Sequence, residues 1–167
     1  LAGMAAASSL AMRDRIRAIE DALAKSRFDR LLRREAPSVD LALAELVHGP
    51  RYLQRLRDAR PAEGIGQVDA DTFISSGSLD TAVTALGGAL AALEAVVLGE
   101  ADNAFCAIRP PGHHAERDTP MGFCLVNTIA IAAREAQRKH GAERIAIVDF
   151  DVHHGNGTQD IFQDDPN

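Results

Sequence analysis

Residues 145–162 read IAIVDFDVHHGNGTQDIF, and this stretch decides how the rest of the chain is understood. Ile145–Val148 is a continuous apolar run rich in β-branched residues, the pattern of a strand buried on both faces of a parallel sheet. Its carboxyl end turns polar at once. Asp149, Asp151 and His153 alternate, so an extended backbone sends their side chains out on one face. Two carboxylates and an imidazole then stand at the carboxyl end of a buried strand, where open α/β sheets hold their ligands. Gly155-Asn156-Gly157 permits a tight turn, and a helix is expected from Thr158 onward. Carboxylate oxygen and imidazole nitrogen suit a borderline divalent ion such as zinc, whose catalytic sites commonly use three protein ligands and a water. Asp151 and His153 would supply two of the three. For this motif alone the competing reading is a polar strand end, with Asp149 capping a turn and His153 bonded to a backbone carbonyl.

Working upstream, Thr128 to about His140 is predicted as a helix, capped by Asn127 and stopped by Gly141. Asn103–Ile108 (NAFCAI) reads as a short strand that runs into the rigid turn Arg109-Pro110-Pro111-Gly112. Ser78–Leu98 is a long Ala- and Leu-rich helix with Ser78 as its expected N-cap and Gly99 as its end; Gly87-Gly88 in its middle predicts close packing against a neighbour. Residues 64–77 are loop-like. Tyr52, Leu53 and Leu56 indicate a helix that stops before Pro61, Leu41–Val47 a shorter one, and Arg13–Lys25 an amphipathic one with Ile16, Ile19 and Leu23 on its apolar stripe. Helices alternating with strands over short connections predict an α/β chain, a parallel sheet covered by helices.

At 167 residues and 17.8 kDa the chain can bury one sizeable core and has no room for two domains of ordinary size. A formal charge of −6 argues against sequence-independent binding of nucleic acid, although the first 60 residues are net basic and the remainder strongly acidic. The basic beginning could meet an acidic partner or simply be a solvated helix face. Two cysteines, Cys106 and Cys124, make no disulfide framework, so the expected compartment is the reducing cytoplasm. Leu1–Leu10 is expected to be a frayed start, not a signal peptide or a membrane anchor.

A second cluster, residues 109–124 (RPPGHHAERDTPMGFC), sets two adjacent histidines just past a strand in a stiffened turn. Imidazoles held beside a metal-bound water can move protons near neutral pH. RPPGHHAERDTPMGFCLVNTIAIAA and RIAIVDFDVHHGNGTQDIF together closely resemble the histone deacetylase superfamily, particularly its class II branch and the bacterial histone deacetylase-like and acetylpolyamine amidohydrolases. The likeness is strongest over residues 103–167 and extends more weakly upstream to the RIRAIEDAL helix.

The resemblance implies a three-layer α/β/α fold of the arginase/deacetylase type, incomplete in this chain, with residues 1–167 as the amino-terminal part of a single deacetylase domain. It implies a zinc-dependent amidohydrolase that removes acyl groups from acetyl-lysine or acetylpolyamine, acting on neither nucleic acid nor membrane, with a homo-oligomer compatible. Asp151 and His153 would be zinc ligands. His113 and His114 would be the tandem histidines, with Asp149 bonded to His113 and Asn156 to His114. The class I branch has Asp in place of that Asn, so His114 would be less basic here. Phe123 would wall the substrate tunnel, the carbonyl of Gly122 would face the acyl-amide N–H, and Asp71 would grip the substrate backbone at the rim. Backbone oxygens of Asp149, Asp151 and His153 would help hold a structural potassium. The alternatives are that Phe123 and Cys124 are core, and that Asp71 is a helix-entry residue; His154 is expected to be structural.

The chain also departs from the family pattern. Ser8–Arg13 replaces the usual His-Pro-Glu-x-Pro approach to the first helix, and Ser76 stands where Pro is common. The family's third zinc ligand, the Tyr that polarises the substrate carbonyl, the Gly-rich turn beside it and the second tunnel Phe lie beyond the position of Asn167, and Tyr52, in an early helix, is no substitute. A truncated relative that acts as a folding or association module is therefore the competing reading. An arginase-like two-metal hydrolase is a third, against which the RPPGHH cluster counts.

Overall fold

Helix α4, Thr128–His140, is bounded as its sequence predicts: the Asn127 side chain accepts from Ala130 N, and Gly141 ends it in the left-handed region at φ 69°. The computed structural model describes residues 14–167, which fall in two compact units divided after Glu35. The expectations for Leu1–Leu10 and Ser8–Arg13 lie outside the described residues. In the first unit residues 14–23 form helix α1, whose Ile16, Ile19 and Leu23 are its half-buried stripe, and Ser26–Phe28 is a 3-10 turn.

The second unit is built around α4. Its Ala130, Ile131, Ala133 and Ala136 are buried, and it packs against α3, Ser78–Val97, whose Leu79, Ala82 and Leu86 join the same core. Each fully buried Leu or Ile there contributes about 1.5–3 kcal/mol of transfer free energy. Gly87 and Gly88 serve close approach: a Cβ on Gly87 would overlap the carbonyl of Pro37, and one on Gly88 would stand 3.0 Å from Ala36 Cβ. By length and composition α3 could cross a membrane, but its packing on α4 is that of a helix in a protein core. Helix α2, Pro50–Asp58, contributes the buried Tyr52, Leu53 and Leu56. Helix α5, Asn156–Phe162, begins two residues before Thr158, and it is tied to α4 by Arg134, whose guanidinium lies over the Phe162 ring and pairs with Asp165 Oδ2 at 2.6 Å.

Several expectations are corrected. Leu41–Leu46 is a 3-10 helix, started by Asp40 accepting from Ala42 N. Residues 64–77 are not simply a loop, because β1 (Ile65–Gln67) and β2 (Phe73–Ser75) pair antiparallel around a turn closed by Val68 N donating to Thr72 O. Ser78 does not cap α3: its hydroxyl accepts from Ser75 N at 2.8 Å, and Gly77 is the N-cap.

The hairpin is the extent of sheet structure among the described residues, so the expected parallel sheet between helical layers is not formed by them. Neither Asn103–Ile108 nor Ile145–Val148 enters a ladder. The physical reason is that a strand is made by its neighbours, and a strand apolar on both sides needs a paired strand along each edge and cover on each face. Val148, Phe150 and Val152 are instead 82%, 96% and 93% exposed, and Phe105 is 72% exposed.

Candidate active site

The two histidines are placed by α5. Its amides of Gly157 and Thr158 donate to the His113 carbonyl at 2.9 and 3.1 Å, which satisfies N–H groups that a helix start leaves unpaired. Gly157 makes this approach possible, since a Cβ there would overlap the Ala115 carbonyl. The rings of His113 and His114 lie 4.0 Å apart. His113 Nδ1 is 2.7 Å from Asp149 Oδ2, and His114 Nδ1 is 2.7 Å from Asn156 Oδ1. An ionised carboxylate and an amide oxygen only accept, so each Nδ1 carries the proton and each neutral ring keeps its lone pair on Nε2. The bond from His113, above all, holds the Asp149 carboxyl below the usual carboxylate range.

Asp149 and Asp151 also bond forward along their own segment. Asp149 Oδ1 accepts from Asp151 N at 3.1 Å, and Asp151 Oδ1 accepts from His153 N at 2.8 Å, the bonds of consecutive Asx turns. The turn-capping role and the His113 bond of Asp149 therefore coexist, on different oxygens. Bonding to His153, first through its backbone N–H, holds the Asp151 carboxyl low as well. The His153 ring lies 6.1 Å from that of His114. His154 turns elsewhere, with Nε2 2.5 Å from Gln159 Oε1.

Phe123 and Gly122 sit beside the His pair in an unusual backbone. Phe123 has φ 66°, rare for a non-glycine residue, and is 42% exposed, so it is not core; Cys124 is fully buried. Gly122, at φ 54°, approaches so closely that a Cβ would overlap the His114 ring. The loop is held by the β1–β2 turn: Asp71 Oδ1 accepts from Gly122 N at 3.2 Å, and Thr72 Oγ1 accepts from Phe123 N at 3.1 Å while donating to Asp71 Oδ1. Asp71 is thus no helix-entry residue. The Gly122 carbonyl accepts weakly from the Cys124 thiol at 3.5 Å. Burial pushes that thiol up to about 12, so it stays protonated.

Thr72 and His48 are contributors that sequence reasoning missed. His48 is buried, with Nε2 accepting from Asn127 N at 2.9 Å, which leaves Nδ1 to donate to Arg117 O at 3.2 Å. Burial lowers its pKa from the ordinary value. Asn127 in turn donates from Nδ2 to Ala115 O and to Thr158 Oγ1. This joint ties the residue after the His pair to the helix that carries Asn156. Tyr52 lies behind it, fully buried and donating to Leu125 O at 2.6 Å, so it takes no part in the site.

The donors of Asp151 and His153 suit zinc in kind. Oδ1 and Nδ1 face each other at 2.9 Å, somewhat closer than the about 3.4 Å separating two ligands of one tetrahedral zinc at about 2.1 Å each. They complete no site by themselves: among the described residues no group of three His, Cys, Asp or Glu side chains is gathered to hold a metal. A cavity of about 300 Å³ is lined by Asp149 together with Ile145, Ile147, Thr158 and Phe162, while neither His113 nor His114 lines it.

The histone deacetylase domain matches residues 10–167. A histone deacetylase-like amidohydrolase of Pseudomonas aeruginosa is 47% identical over 131 residues, 78% of this chain and 34% of that protein. The human polyamine deacetylase HDAC10 is 42% identical over 143 residues, 82% of this chain and 21% of that one. The chain therefore spans about a third or less of these relatives' length. Among solved structures, the crystal structure of the HDA15 HD domain superimposes with a TM-score of 0.84 at 36% identity, covering 91% of this chain and 43% of that one, which gives the chain the arginase/deacetylase type of fold.

Proposed function

The chain belongs to the histone deacetylase family, and we propose that it carries the proton-transfer part of a zinc-dependent amidohydrolase that removes acetyl or other acyl groups from acetyl-lysine or acetylpolyamines. One observation carries the reading: two imidazoles 4.0 Å apart, each with Nδ1 tied 2.7 Å from a fixed oxygen, beside the Asp151–His153 donor pair. Bound at Asp151 and His153 with further ligands, zinc would supply Lewis acidity to the acyl carbonyl and to water. The chain's own groups handle the proton. One ring takes it from water at Nε2 and returns it to the departing amine, a role that contributes about 10²–10⁴-fold. Asp149 sets a carboxylate oxygen against His113 Nδ1, whereas Asn156 sets an uncharged amide oxygen against His114 Nδ1. Phe123 and the Gly122 carbonyl would line the acyl chain and its amide, and Asp71, whose Oδ1 already holds Gly122 N, would reach the substrate backbone with its other oxygen.

Ile145–Val148 and Asn103–Ile108 are the segments we assign to the parallel sheet of the whole three-layer domain, supported by the structural likeness to a chain more than twice as long. Unpaired thiols at Cys106 and Cys124 favour the cytoplasm. The test is made on the whole protein, with an acetyl-lysine peptide and an N-acetylpolyamine as alternative substrates and a zinc-chelating hydroxamate as inhibitor. Hydrolysis of either substrate that the hydroxamate abolishes is the expected result; hydrolysis insensitive to it contradicts the zinc chemistry.

A second reading is favoured by the exposed Phe105, Val148, Phe150 and Val152: a non-catalytic relative that works by association through this apolar surface. Absence of turnover in the whole protein together with concentration-dependent self-association would favour it.

A further inference from the structure

Asn156 can serve His114 only with its amide turned one way, and the residues around it decide which. Its Nδ2 faces Glu116 Oε1 at 2.9 Å, Met121 Sδ at 3.3 Å and the His114 carbonyl at 3.5 Å, while its Oδ1 lies 2.7 Å from His114 Nδ1. A carboxylate and a carbonyl oxygen can only accept, so the atom facing them must be the NH2 group. Of these partners the carboxylate is the strong one: a bond to an ionised acceptor is about twice as strong as a neutral one, the carbonyl is at the limit of hydrogen-bonding distance, and a thioether accepts weakly. Glu116 is itself fixed. Its amide donates to Thr119 O at 3.0 Å, and the next residue, Arg117, is clamped to α5 by its amide on Asp160 Oδ2 and its guanidinium on Ile161 O.

The geometry points to Glu116 as a positioning residue that, by holding the Asn156 amide, sets which nitrogen of His114 accepts the proton. The opposite orientation would set Oδ1 against the Glu116 carboxylate and offer NH2 to His114 Nδ1. His114 would then have to accept at Nδ1 and carry its proton on Nε2, where no base would remain. Glu116 acts through Asn156. The inference rests on the proposed role of His114 for its catalytic consequence, and on hydrogen bonding alone for the tautomer.

The same contact predicts a reversal of side-chain preference. Asn156→Asp would set two carboxylates about 2.9 Å apart and lose the donor that Glu116 needs, whereas Asn156→Asp with Glu116→Gln restores one donor facing one acceptor.

Two measurements test it. Nitrogen-15 NMR of the His114 ring, recorded on the whole protein, is expected to find the Nδ1–H tautomer in the parent and in Glu116→Gln, and a substantial Nε2–H population in Glu116→Ala. On the whole protein, Glu116→Ala should lower kcat about 10–100-fold with little change in KM, the range seen when an outer partner of a site residue is lost. Glu116→Gln should restore turnover, and Glu116→Gln should also rescue Asn156→Asp. An active protein whose tautomer and kcat ignore Glu116→Ala overturns the positioning role, as does an Asn156→Asp variant that Glu116→Gln fails to improve. A tautomer that shifts in a protein with no hydrolase activity supports the positioning role and overturns the functional reading instead.

Discussion

Replacing Asn127 with Ala should loosen the joint behind the His pair, and its cost can be worked from the bonds the side chain makes. Oδ1 accepts from Ala130 N, and Nδ2 donates to Ala115 O and Thr158 Oγ1, all at 3.2 Å, from a fully buried position. Loss of a helix cap costs about 1 kcal/mol. Stranding the buried Ala115 carbonyl costs about 1–3 kcal/mol, at this bond length the lower end, and losing the bond to the half-buried Thr158 hydroxyl costs about 0.5–1.5 kcal/mol. The whole comes to about 3 kcal/mol, a large share of the about 5–15 kcal/mol that stabilises an ordinary domain. With a urea slope of about 1–3 kcal/mol/M, the unfolding midpoint followed by circular dichroism should fall by about 1–3 M. Asn127→Ser keeps an oxygen for Ala130 N and should recover about 1 kcal/mol of the loss. An Ala variant within about 0.5 kcal/mol of the parent, or a Ser variant no better than Ala, would refute the reasoning.

Three further outcomes follow from the same structure. His48 has its pKa lowered by burial, so the unfolded state, titrating near about 6.5, binds the proton more readily. Its contribution is complete above that pH and is lost as pH falls below it, so midpoints measured from pH 8 to 5 should fall more steeply in the parent than in His48→Gln; equal slopes would contradict this. The Cys124 thiol, buried and pushed up to about 12, should resist iodoacetamide at pH 8 in the native chain and react on unfolding; native labelling would contradict its burial. Residues 1–167 alone, with two zinc donors and no third gathered among the described residues, should bind zinc weakly and show no deacetylase turnover, checked by elemental analysis and a peptide assay. Stoichiometric zinc with chelator-sensitive turnover would show that another residue completes the site.

What the sequence made legible is what its neighbours in the chain determine. Asn127 and Gly141 bound α4 because a cap and a left-handed stop act within a turn of their own helix. The hairpin at Ile65–Ser75 escaped because three-residue strands in a Gly- and Asp-rich stretch carry too short an alternation to read. The apolar run at Ile145–Val148 is the opposite case: its composition is that of a strand, yet pairing belongs to partners elsewhere, and the described residues supply none. In the site, only family resemblance pairs Asp149 with His113 and Asn156 with His114, since 36 and 42 residues separate them. Thr72 and Glu116 had no such signal. Thr72 meets Phe123 from 51 residues away, and the carboxylate of Glu116 meets Asn156 from 40, contacts that only the fold brings about.

Proton transfer by the His pair is measured by comparing His114→Ala with the parent in single-turnover hydrolysis of an acetyl-lysine peptide by the zinc-loaded whole protein. Turnover should be lower by about 10²–10⁴-fold with substrate affinity little changed, because the proton is in flight only in the transition state. Unchanged turnover, or a loss confined to affinity, would remove His114 from the chemistry.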